Sequence, residues 1–240
     1  MKSSNTIQTA PVILAFEAST KQLSVAVYMN GSVRAMEKIE APFGQAMELV
    51  PLAIRTLANV GVEFSSLSHV AAGCGPGSFT GLRVSLAAAK GVCLARDIIG
   101  LGISGLEALA FFSSEVLNGM PVLCIADTRR DNVYAQLFAS DMTPQGTIFE
   151  AQIEQLPFLV PPSICADGLM LAGFGGLATK MAFAANGMAA TLVSFGSKQD
   201  ELIVDAGMIA TMAAKKIMLG ILPPLIPLYL ADPNLGPKKK

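Results

Sequence analysis

The stretch "VILAFEASTKQLSVAVYMNGSVRAMEKIE", residues 12–40, reads as three strands in quick succession. An apolar run over 12–17 ends at the polar turn "STK". An alternating run over 23–29 then meets Asn30-Gly31, a dipeptide that favours the tight turn of a β-hairpin. A third alternating run covers 32–40. Links this short place the three strands side by side as an antiparallel meander.

Outward from the meander the period changes. In residues 45–60 Met47, Val50, Ile54, Leu57 and Ala58 recur at helical spacing, and Gly61 ends the pattern. Pro51 falls inside it and predicts a kink or a late start. "HVAAGCG" reads as a strand, "SFTGLRVSLAAAKGVCLAR" as a helix, "IIGLGIS" as a strand and "GLEALAFFSSEVL" as a helix. The order is βββαβαβα, a βββαβα unit with a further strand and helix, broken at Asn118-Gly119. The pattern then restarts. "PVLCIADTR", "NVYAQLFAS" and "QGTIFEAQI" read as three strands, "SICADGLM" and "AATLVSFG" as two more, and "IVDAGMIATMAAKKIML" as a late helix. A meander followed by αβ units thus occurs twice, the second copy shortened, which predicts an α/β protein of two related halves.

Composition narrows the function classes. Of 240 residues 52% are hydrophobic and 15% charged, with 17 basic against 18 acidic. This balance carries no strong basic field to attract nucleic acid. The most apolar stretch, 169–196, is interrupted by Lys180, Asn186 and several glycines, so it predicts buried core and no membrane span. The polar first residues show no signal-peptide pattern. Residues 1–10 are expected to be disordered, and Lys238, Lys239 and Lys240 to form a solvated basic tail over 232–240. Cys74, Cys93, Cys124 and Cys165 are scattered without a CxxC pair, which predicts reduced thiols and a cytoplasmic location. His69 is the one histidine, which excludes sites that need two histidine ligands, and its place before an apolar run reads as a satisfied strand edge.

Two features carry chemical promise. Each half has a strand ending in an acid before a polar turn, at Glu17 and at Asp127. Two such acids can flank a metal–phosphate in a cleft, or each can cap its own turn; for Glu17 the cap is favoured, for Asp127 the readings balance. The second feature is "GCGPGSFTG", residues 73–81. Gly75-Pro76-Gly77 makes a sharp turn, Ser78 is a good N-cap, and Phe79, Thr80 and Gly81 are expected to present backbone N–H groups at a helix start, where an anion can bind. It is neither a Walker loop nor GxGxxG, so a plain strand–helix turn competes with the anion reading. Along the following helix Gly81, Ser85, Ala88, Ala89 and Val92 form a small-residue face that lets another helix approach, either residues 45–60 or a helix of another chain. No GxSxG elbow, paired carboxylates on a helix face, or metal cluster accompanies these features.

"ILAFEAST", "GCGPGSFTGLRVS", "ADTRRDNVY" and "PLYL" occur in an order and spacing that resembles the TsaB (YeaZ) family, glycoprotease-like (peptidase M22-like) proteins of tRNA threonylcarbamoyladenosine synthesis. The resemblance runs from Val12 to Leu230. It implies an actin/Hsp70-like (ASKHA) fold with an N-terminal domain over 11–118 and a C-terminal domain over 119–231. It also implies a pseudo-enzyme that pairs with and activates a catalytic TsaD-like subunit. That subunit carries a metal-binding HxxxH and transfers threonylcarbamoyl to adenosine 37 of tRNAs reading ANN codons. A TsaE-like ATPase is an implied further partner, with tRNA met only through the complex, and a homodimer is implied for the chain alone. The implied partner interface lies on the first two helices, at Gln45, Leu49, Ala53, Gly81, Ser85, Ala88 and Val92. On the residues alone, Gly75, Gly77, Ser78, Phe79, Thr80 and Asp127 are the candidate phosphate contacts, with ATP or ADP expected at the interface with the partner and no cofactor held by this chain alone. Glu17, Cys74 and Gln45 depart from the family's usual Asp, Arg and His, which weighs against nucleotide binding by this chain alone. The competing expectations are a stand-alone ATP-binding phosphotransferase or ATPase of the same fold and, least supported by the residues, a peptidase.

Overall fold

The computed structural model describes residues 10–40, 45–164, 168–193 and 202–230. The expected disordered start, the basic tail, Cys165 and the side chain of Gln45 lie outside the described residues. The first sheet contains β1 (Ile13–Glu17), β2 (Gln22–Met29), β3 (Ser32–Glu40), β4 (His69–Gly75) and β5 (Ile99–Ser104), in the order β3-β2-β1-β4-β5. The second contains β6 (Val122–Asp127), β7 (Val133–Phe138), β8 (Phe149–Ala151), β9 (Leu169–Gly173) and β10 (Ala190–Leu192), in the order β10-β9-β6-β7-β8. The two orders are the same relative to chain direction. In each, the first strand pairs antiparallel with the second and parallel with the fourth. The duplication read from the sequence is therefore a duplication of sheet topology, as expected for an actin/Hsp70-like arrangement. Asn30 and Gly31 both take positive φ, as their hairpin turn requires.

Among the described residues six α-helices complete the fold: α1 (Gln45–Ala58), α2 (Phe79–Arg96), α3 (Gly105–Ser113), the single turn α4 (Leu156–Leu159), α5 (Gly176–Ala185) and α6 (Ala206–Met218). Successive side chains of a strand point to opposite faces, and the cores follow that rule. Leu14, Phe16, Val70 and Ala72 pack with Leu49, Leu52 and Leu86 beneath α1 and α2. Ile13, Ala15 and Ala71 face the other way, into one apolar cluster shared by α3, α6 and Val122 and Cys124 of the second sheet. Leu123, Ile125 and Leu171 face a third cluster beneath α4 and α5, which supply Leu156 and Phe183. The layers are thus α1/α2, first sheet, α3/α6, second sheet, α4/α5.

Four features differ from the sequence reading. Helix α1 runs to Ala58 with Pro51 inside it, because Pro51 lies on the exposed side. Helix α5 arises within the apolar stretch 169–196. Strand β9 begins at Leu169, later than the expected "SICADGLM". Residues 206–230 also return to the first sheet. Ala206 N–H donates to Ser24 Oγ at 2.9 Å, and Lys38 pairs with Asp205, the N-cap of α6, at 2.6 Å. The strap after α6 then lies against β5 and the end of β4: Gly102 N–H donates to Pro223 O at 3.3 Å and Leu228 N–H to Cys74 O of β4 at 2.8 Å. Gly100 and Gly102 admit it, since a Cβ on Gly102 would meet Pro224 O at 2.6 Å.

Candidate functional site

Strands β1 and β6 end side by side at a cleft between the halves, and both terminal acids do the same thing. Glu17 Oε1 accepts from the backbone N–H and hydroxyl of Ser19. Asp127 Oδ1 accepts from Arg129 N–H at 2.7 Å, and its Oδ2 lies 3.6 Å from Arg129 Nε. Each acid caps the turn two residues on. They differ in setting. Asp127 lines the cleft, whereas Glu17 is buried and its Oε2 has no hydrogen-bond partner. Burial pushes the Glu17 carboxyl up to about 7, with the nearby charge of Asp205 adding to the rise against the bonds from Ser19.

The loop "GPGSFTG" is seated on the β1–β2 turn. Ser78 N–H donates to Ser19 O at 2.9 Å. A Cβ on Gly77 would meet Ser19 Cβ and O at 2.8 Å, and one on Gly81 would meet Ala18 O at 1.8 Å. Gly75, before a cis bond to Pro76, takes φ +108. Close backbone approach accounts for Gly77 and Gly81, while Gly75 supplies the left-handed turn. Ser78 is the N-cap of α2, and its Oγ accepts from Gly81 N–H at 3.3 Å. This corrects the expectation that Gly81 N–H is open to an anion. Cys74 beside the loop is an inert thiol, pushed up to about 12 by burial and then by Glu17.

The expected phosphate contacts divide between two concavities at the cleft mouth: Ser78, Phe79 and Thr80 line a polar one with Thr128, Arg129 and Arg130, Asp127 lines an apolar one, and Gly77 borders both. The apolar one is the more enclosed by carbon. Ile125, Phe174, Leu202 and Val204 line it with Pro76, and Lys21 Nζ stands 5.7 Å from the Phe174 ring centroid. Ser78 N–H and Gly81 N–H are both occupied within the fold. Among the described residues no three His, Cys, Asp or Glu side chains group to hold a metal. His69 sits at the start of β4 with Nδ1 2.9 Å from Ser68 Oγ, and burial holds its pKa below the usual histidine value.

A further concavity lies on the outer face, between α1 and α2, with Leu49, Val50, Thr80, Val84, Ala87 and Ala88 in its lining. Here the structure redistributes the expected interface. Ala88 lines the groove, whereas Val92 is half-buried against the core beneath α2 and does not line it. Leu49 is 1% exposed and Ala53 2%, Ser85 is fully buried, and Gly81 abuts Ala18. The small-residue face of α2 is turned inward, where it lets the helix lie close against β1 and β4. The side chains open to a partner are Met47, Val50, Ile54 and Arg83. Leu202, Val204 and Tyr229 also entered the site unforeseen by the sequence reading, though "PLYL" had marked the last of these.

The family description "TsaD: tRNA N6-adenosine threonylcarbamoyltransferase" matches residues 45–156. The chain is 30% identical over 122 residues to the "tRNA threonylcarbamoyladenosine biosynthesis protein TsaB" of Escherichia coli, covering 51% of this chain and 52% of that protein. It is 32% identical over 122 residues to the TsaB of Haemophilus influenzae, covering 51% of each.

Over about half of its length the chain is similar to the TsaB proteins.

It spans about half the length of the curated TsaB proteins it matches. "YeaZ from Pseudomonas aeruginosa" superposes with a TM-score of 0.72 at 24% identity, over 92% of this chain and 100% of that one. A second Pseudomonas aeruginosa structure, "an uncharacterized protein with similarity to peptidase YEAZ", superposes at 0.76 with 23% identity over the same shares. These YeaZ structures share the fold. No described helix is long and apolar enough to cross a membrane.

Proposed function

We propose that this chain is the TsaB-like, non-catalytic subunit of a system that makes threonylcarbamoyladenosine in tRNA. It pairs with a TsaD-like catalytic subunit in the cytoplasm and activates it, and a TsaE-like ATPase joins the pair. The observation that carries the reading is the groove between α1 and α2. It is an apolar surface flanked by Met47, Val50 and Ile54, which are 79%, 52% and 54% exposed. A contiguous exposed apolar patch of this kind is characteristic of a docking face. The apolar half of the cleft supports the non-catalytic part, since a nucleoside triphosphate has no polar cradle between Ile125, Phe174 and Val204; the basic half, with Arg129 and Arg130, is where a phosphate shared with the partner would be met. In the pair, ATP or ADP is met at the shared interface, beyond the apolar half. The same groove would be the surface used by a homodimer of the chain alone.

The test is to purify the chain with the TsaD-like subunit of the same organism and chromatograph them together. Co-elution and stimulated formation of threonylcarbamoyladenosine support the reading; separate elution without stimulation overturns it. Calorimetry of the isolated chain with ATP and magnesium tests the rival phosphotransferase or ATPase reading, which tight binding would restore.

A further inference from the structure

We infer that Arg83 is the residue that sets partner choice at the α1–α2 groove, and that the helix docking there presents a carboxylate to it. The inference rests on the pairing proposed above and adds the chemistry of the occupant.

Arg83 stands at the rim of the groove with its side chain held from two sides. Its guanidinium lies 3.7 Å from the centroid of the Phe79 ring, and its Nε donates to Tyr229 Oη at 3.3 Å. Tyr229 in turn packs on Phe79, with ring centroids 5.5 Å apart. Tyr229 comes from the strap after α6, so an element distant in sequence fixes this one cation. An exposed arginine ordinarily loses side-chain entropy when it is fixed by a partner. Here much of that ordering is already present in the free chain. With Nε engaged by Tyr229, the two terminal nitrogens remain to meet a planar acceptor in the forked manner of arginine.

Among the described residues Arg83 forms no ion pair. The side chains lining the groove include no acid, and Arg83 is the cation among them. Glu48 lies in the first turn of α1 and Lys90 further along α2, but neither lines the groove. Apart from the Thr80 hydroxyl the rest of the groove is apolar, with Leu49, Val50, Val84, Ala87 and Ala88 forming a wall that suits the apolar face of a helix and offers no second cation to a phosphodiester backbone. An amphipathic helix with an acid beside its apolar stripe meets both parts of the surface. RNA meets only one.

The experiment measures binding of the purified TsaD-like subunit of the same organism to the full chain at low and at high salt. Arg83→Glu is expected to weaken binding by on the order of tenfold or more and to remove most of its salt dependence. Arg83→Lys, which keeps the charge and loses the fork, should fall between. Tyr229→Phe, which removes only the hydroxyl, should weaken binding a few-fold while leaving the melting temperature nearly unchanged. Arg83→Gln stands in if the charge reversal fails to fold. Binding of the Arg83→Glu or Arg83→Gln chain within twofold of wild type overturns the inference and leaves the pairing intact. A variant that pairs normally but lowers the affinity of the assembled pair for tRNA also overturns it, since Arg83 then reads phosphate. Failure of the wild-type chain to bind overturns both the pairing and this inference.

Discussion

Glu17 Oε2 occupies the space that a side chain on Gly73 would need: a Cβ there would lie 1.7 Å from it. The two strands β1 and β4 pair in parallel, and the carboxyl end of Glu17 lies over the glycine of its neighbour. Gly73→Ala therefore forces a buried carboxyl to move, and Gly73 is not in the left-handed region, so the cost is one of space. A loss of about 2–4 kcal/mol is expected, as for other overpacked cores, read as a lowered midpoint in urea. Because the clash is with one side chain, Glu17→Ala should accommodate the extra methyl. The double variant should then be less destabilised than the two single changes added together, and additive losses would refute the relationship.

The same carboxyl makes stability depend on pH. Burial raises the folded pKa of Glu17 to about 7 from 4.5. Between those values the folded chain holds a proton that the unfolded chain has released. Stability therefore falls as pH rises from 4.5 through 7 and levels off above it, by about 3 kcal/mol for this group. The lowered pKa of His69 works the other way, adding stability as pH rises through the histidine range. Comparison with Glu17→Gln isolates the carboxyl. The difference in melting temperature between wild type and variant should change with pH between 5 and 8, and two parallel profiles would rule the assignment out.

The glycines of α2 and its loop separate by what surrounds them. A Cβ on Gly81 would meet the backbone oxygen of Ala18 at 1.8 Å, whereas one on Gly91 would meet nothing within 4 Å. Ala18 O belongs to the turn that Glu17 caps, so it cannot retreat. Gly81→Ala is expected to lose upwards of about 3 kcal/mol, and Gly91→Ala to gain up to about 1 kcal/mol as a helix-interior glycine is replaced. Thermal melts of the two variants should move in opposite directions.

These contrasts mark how far the sequence could be read. The two meanders were legible because Asn30-Gly31 and the alternation of residues 12–40 report local turn and strand geometry. The shared sheet order followed from repeating that pattern after Asn118-Gly119. The direction of the small face of α2 was not legible, because Gly81, Ser85 and Ala88 permit close approach by any helix or sheet, and spacing does not say which. The strap over 221–230 was hidden for a different reason. Its prolines leave no helical or strand period, and its docking is recorded on the far side, in Gly100 and Gly102 of β5. The apolar filling of the cleft likewise depends on Leu202 and Val204 meeting Ile125 and Phe174, contacts distant in sequence.

The two faces of the α1–α2 pair give the sharpest separation of folding from docking. Ser85 is fully buried, with Oγ donating to Gly81 O or Leu82 O, each at 3.2 Å. Ser85→Glu would place a charge in that interior, and it is expected to lower stability by several kcal/mol, on the order of the cost of an unpaired buried charge. Its loss of pairing would then follow from loss of fold. Val50 and Ile54 are 52% and 54% exposed on the neighbouring helix, and acidic replacements there leave the core untouched. Val50→Glu is expected to keep its melting temperature within a few degrees of wild type while abolishing co-elution with the TsaD-like subunit. The pairing face would have to be sought elsewhere if Val50→Glu paired as well as wild type. If Ser85→Glu stayed folded and lost only pairing, the inward placement of the small-residue face would be wrong.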